Sequence, residues 1–328
     1  MSTKTLANAL DFDPAREVER IGASIRDLLR SKINRRGLVV GISGGVDSAV
    51  SAALCVKALG ANKVFGLLMP EQDSAPGTTP LGEVVAQHLG IAYEIKNISA
   101  TLAAIGCYEW RDAAIKKLFP AYDGSWKNKI VIDGGAQGKI NHFKLVVQSP
   151  GGQLHSAILP LTEYLTIVAA TNFKQRIRKT TEYFHAERLN YAVIGTPNRL
   201  EYDQGFFVKG GDGLADIKPI AHLYKTQVYA LARFLQLPDA ICNAIPSTDT
   251  YSLQQGQDEF YFALPYQKMD IALWAYNHQI PAEEVAQTLN ISVEQAQFVF
   301  KDIASKRKTT AYLHMSAQLV EPVDLIGN

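Results

Sequence analysis

Apolar and polar positions along the chain fall into two alternating rhythms. Asp13-Pro14 opens a stretch in which Val18, Ile21, Ile25, Leu28 and Leu29 share one stripe with Arg, Glu and Lys opposite, the pattern of an amphipathic helix that packs on its own sheet or on a second subunit. Leu38 to Ile42 is a short, β-branched apolar run. It meets a Ser-Gly-Gly-Val-Asp-Ser turn, which opens into an Ala-rich helix from Ala49 to Leu59. Lys63 to Met69 is nearly all apolar, as a parallel strand buried on both faces must be. A polar loop to Pro80, a helix from Gly82 to Leu89 and a strand from Ala92 to Ile98 follow, and Ser99 to Leu118 reads as helical.

From Ala121 to Leu159 the texture changes to KIVIDGG, FKLVVQSPGG and QLHSAIL, short alternating segments punctuated by Gly-Gly and Pro-Gly, which predict two or three antiparallel strands. Helical periodicity returns over Thr162 to Arg188, followed by a core strand at Tyr191 to Thr196 and, later, a helix from Val293 to Lys308. No internal repeat is visible. The expected architecture is α/β: a doubly wound parallel sheet with flanking helices, ligands at the carboxyl ends of its strands, and a small antiparallel β insertion. We read residues 1–328 as one domain, with the insertion at 121–159 and a C-terminal helical segment at 281–313.

Composition narrows the class. Hydrophobic residues make up 47% and charged residues 20% of the 328, as in an ordinary soluble globule. The 33 basic and 32 acidic side chains leave a net charge of +1, so no overall field argues for nucleic acid or membrane. Cys55, Cys107 and Cys242 are few and far apart; they offer neither CxxC nor a disulfide framework and fit a reducing compartment. With no signal-like N-terminus and no apolar run near 18 residues, the expectation is a cytoplasmic enzyme.

The strand-turn-helix around Gly44 and Gly45 carries the chemistry. Glycines at such a turn let main-chain N–H groups approach a phosphate. It is not a Walker loop, because Asp47 stands before Ser48 where that motif demands Lys. An acidic residue in a phosphate cradle repels its ligand unless a divalent cation lies between, so Asp47 reads as a Mg²⁺ ligand, with Ser43 and Ser48 as hydroxyl donors to phosphate. A purely structural glycine turn is the competing reading. A second polar block follows the Tyr191 strand: Thr196-Pro-Asn-Arg-Leu-Glu201, Gly205 to Lys209, Gly211 to Asp216, and Leu223-Tyr-Lys225. Such a loop after a buried strand is a binding surface more often than a linker.

GISGGVDS, Gly41 to Ser48, resembles the signature of the ATP pyrophosphatases, which activate a carboxylate or carbonyl by adenylation and release pyrophosphate. Together with the second block, the order and spacing are similar to those of the NAD synthetases from roughly Arg16 to Leu313, leaving out Ala121 to Leu159. The resemblance implies an adenine nucleotide alpha hydrolase-like fold. It also implies ATP-dependent amidation of nicotinic acid adenine dinucleotide (deamido-NAD) to NAD, through an adenylated carboxylate attacked by ammonia. Matched by position, Asp47 and Glu201 correspond to Mg²⁺ ligands. Gly41, Ile42, Ser43, Gly44, Gly45, Val46, Asp47 and Ser48 wrap the ATP phosphates, and Thr196, Lys225 and Ser247 are further ATP contacts. Asp47 and Lys225 are the expected catalytic pair. Arg176, Lys209, Asp216, Ser305 and Lys306 match contacts to the dinucleotide, and Gln257-Asp258-Glu259 resembles an acidic segment of the family.

Two departures stand out. Ser305 occupies the place of the family's usual His, and the 121–159 insertion is extra, read either as a cover for the dinucleotide or a neighbouring subunit's site or as a surface embellishment. For Arg176 the alternative is an ordinary helix-surface charge, and for Ser305-Lys306-Arg307-Lys308 the basic end of a helix. His142, His155, His185 and His222 read as surface or structural. The resemblance further implies a homodimer, with ammonia taken free or from a separate glutaminase. Competing functions are a related adenylating amidase acting on another carboxylate, a tRNA-modifying ATP pyrophosphatase, which the missing CxxC disfavours, and a non-catalytic nucleotide-binding module.

Overall fold

The computed structural model describes residues 6–133, 142–244, 250–253, 256, 261–262, 264–321 and 323. Ser247 and Gln257-Asp258-Glu259 therefore lie outside the described residues. Four parallel strands form the central sheet: β1 (Leu38–Gly41), β2 (Val64–Leu68), β3 (Ala92–Ile95) and, after an antiparallel excursion numbered β4 to β6, β7 (Ala192–Ile194). Their order is β3-β2-β1-β7, with Val39 opposite Phe65 on one side and Val193 on the other. The chain leaves β1 toward β2 and returns on its other side as β7. The β1/β7 boundary is thus the switch point at which such sheets open a crevice.

Alternation along β1 divides the interior. Leu38 and Val40 enter one core with the helices α1 (Pro14–Leu28) and α2 (Val46–Leu59). Val39 enters the opposite core with Leu67, Val193 and residues of the helical segments beyond β3. The N-terminal amphipathic helix thus packs within its own chain; Asp13 caps it by accepting from the N–H groups of Ala15 and Arg16. The polyalanine character of α2 follows from burial on all sides, since Ala49, Val50, Ala52 and Leu54 are fully enclosed.

Several boundaries differ from the sequence reading. Extended Gly45 is the N-cap of α2, so that helix begins at Val46 and holds Asp47 and Ser48 in its first turn. The helix α3 (Thr78–His88) starts ahead of Gly82. The stretch 99–118 breaks into α4 (Ser99–Ala104) and α5 (Cys107–Lys116), because Gly106 turns the chain through a left-handed φ of +78°. The longest helix is α6 (Leu161–Leu189), ended by left-handed Asn190. Then come α7 (Arg199–Gln204) and α8 (Lys225–Phe234). Helices Tyr266–Asn277, Ala282–Leu289 and Val293–His314 form a further core with Leu6, Ala9 and Leu200. The last of these runs past Lys308 to His314, and the hydroxyls of Thr309 and Thr310 donate back to the carbonyls of Ser305 and Lys306.

The insertion is a three-stranded antiparallel sheet of β4 (Lys127–Asp133), β5 (His142–Gln148) and β6 (Leu154–Ile158). Its inner face packs on α5 and α6. Among the described residues no helix is long and apolar enough to cross a membrane.

Candidate active site

The carboxyl ends of β1, β2 and β7 open into one cavity of about 1310 Å³. Its floor is the turn after β1. Gly44 has φ +78°, and a Cβ there would lie 2.8 Å from the Thr78 carbonyl oxygen, so only glycine fits beneath the start of α3. Gly41 meets a different limit: a Cβ would come within 2.7 Å of Glu182 Oε1. The two serines brace the turn internally. Ser48 Oγ accepts from the Ser43 N–H at 3.2 Å and donates to the Gly45 carbonyl at 3.0 Å, while Ser43 Oγ accepts from the Gly45 N–H at 3.3 Å.

Asp47 is the hub of the β1/β7 crevice. Its Oδ2 pairs with the Lys225 ammonium, and its Oδ1 accepts from Asn198 Nδ2 at 3.0 Å. Asn198 caps α7 reciprocally with Glu201: Asn198 Oδ1 accepts from the Glu201 N–H at 3.2 Å, and Glu201 Oε2 accepts from the Asn198 N–H at 3.1 Å. Asn198 therefore touches both candidate metal carboxylates, Asp47 through its side-chain amide and Glu201 through its backbone N–H. Lys225 is 2% exposed. Burial works against its charge, but Asp47 and Glu201 outweigh this and raise its pKa, so it stays an ammonium. Asp270 fixes the start of α8 beneath it, accepting from the N–H groups of Lys225 at 3.2 Å and Thr226 at 2.7 Å. Burial lifts the Asp270 carboxyl to a pKa of about 7 against those bonds.

The donor set suits a hard divalent cation. Asp47 and Glu201 supply carboxylate oxygens, and the Lys225 ammonium, bound to one and attracted by the other, marks the spot as a seat for positive charge. Among the described residues no group of three or more His, Cys, Asp or Glu could hold a metal. A cation here would complete its shell with water and phosphate, which is how Mg²⁺ is usually held.

Two buried lysines of α6 line the cavity, each paired with carboxylates. Lys174 is sealed at 2% exposure, with its Nζ 3.0 Å from Glu71 Oε1, 2.7 Å from Asp73 Oδ2 and 3.0 Å from the Thr250 carbonyl oxygen. Burial opposes ionisation of Asp73, but Lys174 and Arg111 overcome it and hold the carboxyl below its usual range. Lys179 pairs with Glu182 at 2.5 Å, where burial raises the Glu182 pKa despite the neighbouring ammonium.

The glycine turn from Gly41 to Ser48, together with Thr196, Glu201, Lys225, Arg176, Lys209 and Lys306, lines this cavity. Arg176 Nε donates to the Lys209 carbonyl at 3.3 Å, and Lys209 Nζ reaches the carbonyls of Tyr312 at 2.7 Å and Met315 at 3.0 Å. Lys306 bonds Asp302 at 2.6 Å and the Tyr261 carbonyl at 2.5 Å. Asp216 and Ser305 are not on the wall. Asp216 accepts from the Val193 N–H at 2.7 Å and the Tyr183 hydroxyl at 3.2 Å, bracing β7. None of His155, His185 and His222 lines the cavity either. Asn198, Asp270, Glu71, Asp73 and Glu182 take part in this site without standing out in the sequence as site residues. Only Asn198 carries a readable signal, the Asn-x-x-Glu spacing of a capping box.

The NAD synthase family model matches residues 17–119 and 147–311. An NH(3)-dependent NAD(+) synthetase of Rhizobium meliloti (strain 1021) is 54% identical over 321 residues, covering 98% of this chain and 96% of its own. Among solved structures, an NMN synthetase from Francisella tularensis has a TM-score of 0.62 at 22% identity, covering 94% of this chain and 99% of its own. An NH3-dependent NAD synthetase from Campylobacter jejuni has a TM-score of 0.61 at 22% identity, covering 94% and 100%. The structural likenesses speak to the fold; the model match and the close relative settle the lineage, and the chain belongs to the NAD synthase family.

Proposed function

We propose that this enzyme is an ammonia-dependent ligase that converts deamido-NAD to NAD. A carboxylate oxygen of deamido-NAD attacks the α-phosphorus of ATP and expels pyrophosphate. Ammonia then adds to the adenylated carbonyl, the C–O bond to AMP breaks, and a proton leaves the nitrogen. The observation that carries this reading is the meeting, in one cavity, of the phosphate turn with Asp47, Glu201 and Lys225 and, along α6, with Arg176 and Lys209.

Each group has a task in that sequence. The glycine turn offers main-chain N–H groups to the phosphates. Lys225, held charged, donates to phosphate oxygens on which negative charge develops. Asp47 and Glu201 would hold a Mg²⁺ that neutralises the triphosphate and the departing pyrophosphate. Arg176 and Lys209 present positive charge to the dinucleotide phosphates. Neutral ammonia needs no activation by a base, only a polarised carbonyl and an exit for the proton.

A homodimer, a cytoplasmic location and ammonia delivered free or by a separate glutaminase belong to the same reading. Exposed Leu161, Leu165 and Phe184 along α6 support the dimer. The test is to incubate the protein with ATP, Mg²⁺, ammonium and deamido-NAD and follow NAD, AMP and pyrophosphate. The expected result is formation of all three, abolished in Asp47→Asn together with Mg²⁺-dependent ATP binding while the fold is retained. Full turnover by Asp47→Asn at saturating Mg²⁺ would remove the metal assignment.

A further inference from the structure

The cavity extends beyond what the nucleotide end requires. Its volume of about 1310 Å³ exceeds the range of an ordinary small-molecule pocket. Helix α6 runs along it. Glu182 abuts Gly41 at the phosphate turn, whereas Tyr164, on the same wall, stands about 27 Å away along the helix axis. At that far end Ile132 and Phe143, both from the insertion, join Tyr164 and Val168 of α6 in lining the space.

Ile132 and Phe143 are direct partners across the β4/β5 ladder, on the inner face of the sheet. The next inward pair, Ile130 and Leu145, is fully buried with Ile115, Tyr122, Ile167 and Tyr251. Beyond it, the Asn128 N–H donates to Ser252 Oγ at 2.9 Å and the Leu253 N–H donates to the Asn128 carbonyl at 3.1 Å. The wall is therefore anchored at two places and is not a loose flap. Phe143 stacks on Tyr164 with ring centroids 4.2 Å apart and planes 19° apart, and both rings are half-buried. The NAD synthase model leaves residues 120–146, which supply Ile132 and Phe143, unmatched.

We infer that this wall is a recognition surface added by the insertion, on which Phe143 receives one of the flat heteroaromatic rings of the dinucleotide acceptor. The inference rests on the acceptor named above. A wall of Phe143, the Tyr164 ring and aliphatic Ile132 and Val168 offers a planar apolar face and no cationic side chain of its own, so it suits a ring better than a phosphate. The phosphate turn and Lys225 hold the triphosphate at the other end of α6, which assigns the far end to the acceptor.

Phe143→Ala and Phe143→Leu test it, the second keeping most of the apolar volume. In both, KM for deamido-NAD and its directly measured dissociation constant rise roughly tenfold, the scale of one lost ring stack. KM for ATP and for ammonium stay at parental values, and Phe143→Leu stays folded, its melting temperature lowered by no more than about 4 °C through loss of the Tyr164 stack. If Phe143→Ala does not fold, Phe143→Leu decides alone. A folded Phe143→Leu with parental affinity for deamido-NAD overturns the wall and leaves the amidation reading standing. An equal rise in KM for ATP also overturns it, because the wall then acts on the whole cavity. A parental enzyme that makes no NAD overturns both.

Discussion

Asn198 holds Asp47 with its amide nitrogen while its oxygen and backbone cap the helix bearing Glu201, so its two functions are separable by mutation. A serine at 198 keeps a capping hydroxyl but loses the donor to Asp47. Asn198→Ser is expected to raise the Mg²⁺ concentration for half-maximal activity about tenfold, as for a hydrogen bond to a charged group, with turnover recovered at saturating Mg²⁺. Asn198→Ala should in addition cost about 1 kcal/mol of stability from the lost cap. Unchanged Mg²⁺ dependence in a Mg²⁺ titration of Asn198→Ser would show that the amide positions nothing.

Asp270 predicts a pH effect of opposite sign to the usual carboxylate. Its folded pKa of about 7 lies above the unfolded value, so the folded state binds the extra proton. Its contribution to stability is complete below the unfolded carboxyl range and is lost as pH rises through about 7. Asp270→Asn should remove that part of the decline, which denaturant midpoints at pH 5 and pH 8 would reveal as a flatter profile. At this scale Asp47 was legible because a carboxylate in a glycine turn is a local contradiction. Asp270 was not, because its partners lie on α8, 45 residues and 44 residues away.

Elements were legible where one rhythm ruled. The strands β1 and β2 and helix α6 follow from apolar runs and a helical period, and the insertion's three strands from alternation between Gly-Gly and Pro-Gly turns. The break at Gly106 and the early start of α2 were hidden, since both depend on how one glycine's backbone settles against its neighbours. Hidden too was the insertion's role. Alternation gives an inner and an outer face, but not that Ile130, Leu145 and Val147 complete a core with α5 and α6. Leu145→Ala should therefore destabilise the protein by about 2–5 kcal/mol, measured by equilibrium unfolding. A loss within experimental error would mean that the sheet is an independent appendage.

For the whole molecule, the parallel sheet followed from buried strands alternating with helices, while the co-location of Lys225, Asp47 and Glu201 came from a topology that brings β1, β7 and α8 to one crevice. Asp216 marks the limit of matching by position, because its carboxylate serves the backbone of β7 and does not face the cavity. Light scattering at micromolar concentration is expected to give twice the 36.0 kDa chain mass; the chain mass itself would contradict the dimer. The central claim is that the acceptor carboxylate is activated by adenylation, and oxygen transfer tests it most directly. Deamido-NAD labelled with ¹⁸O in its carboxylate, turned over with ATP, Mg²⁺ and ammonium, should deliver one labelled oxygen to each AMP and none to pyrophosphate. AMP free of label, or label appearing in orthophosphate alongside ADP, would contradict the account.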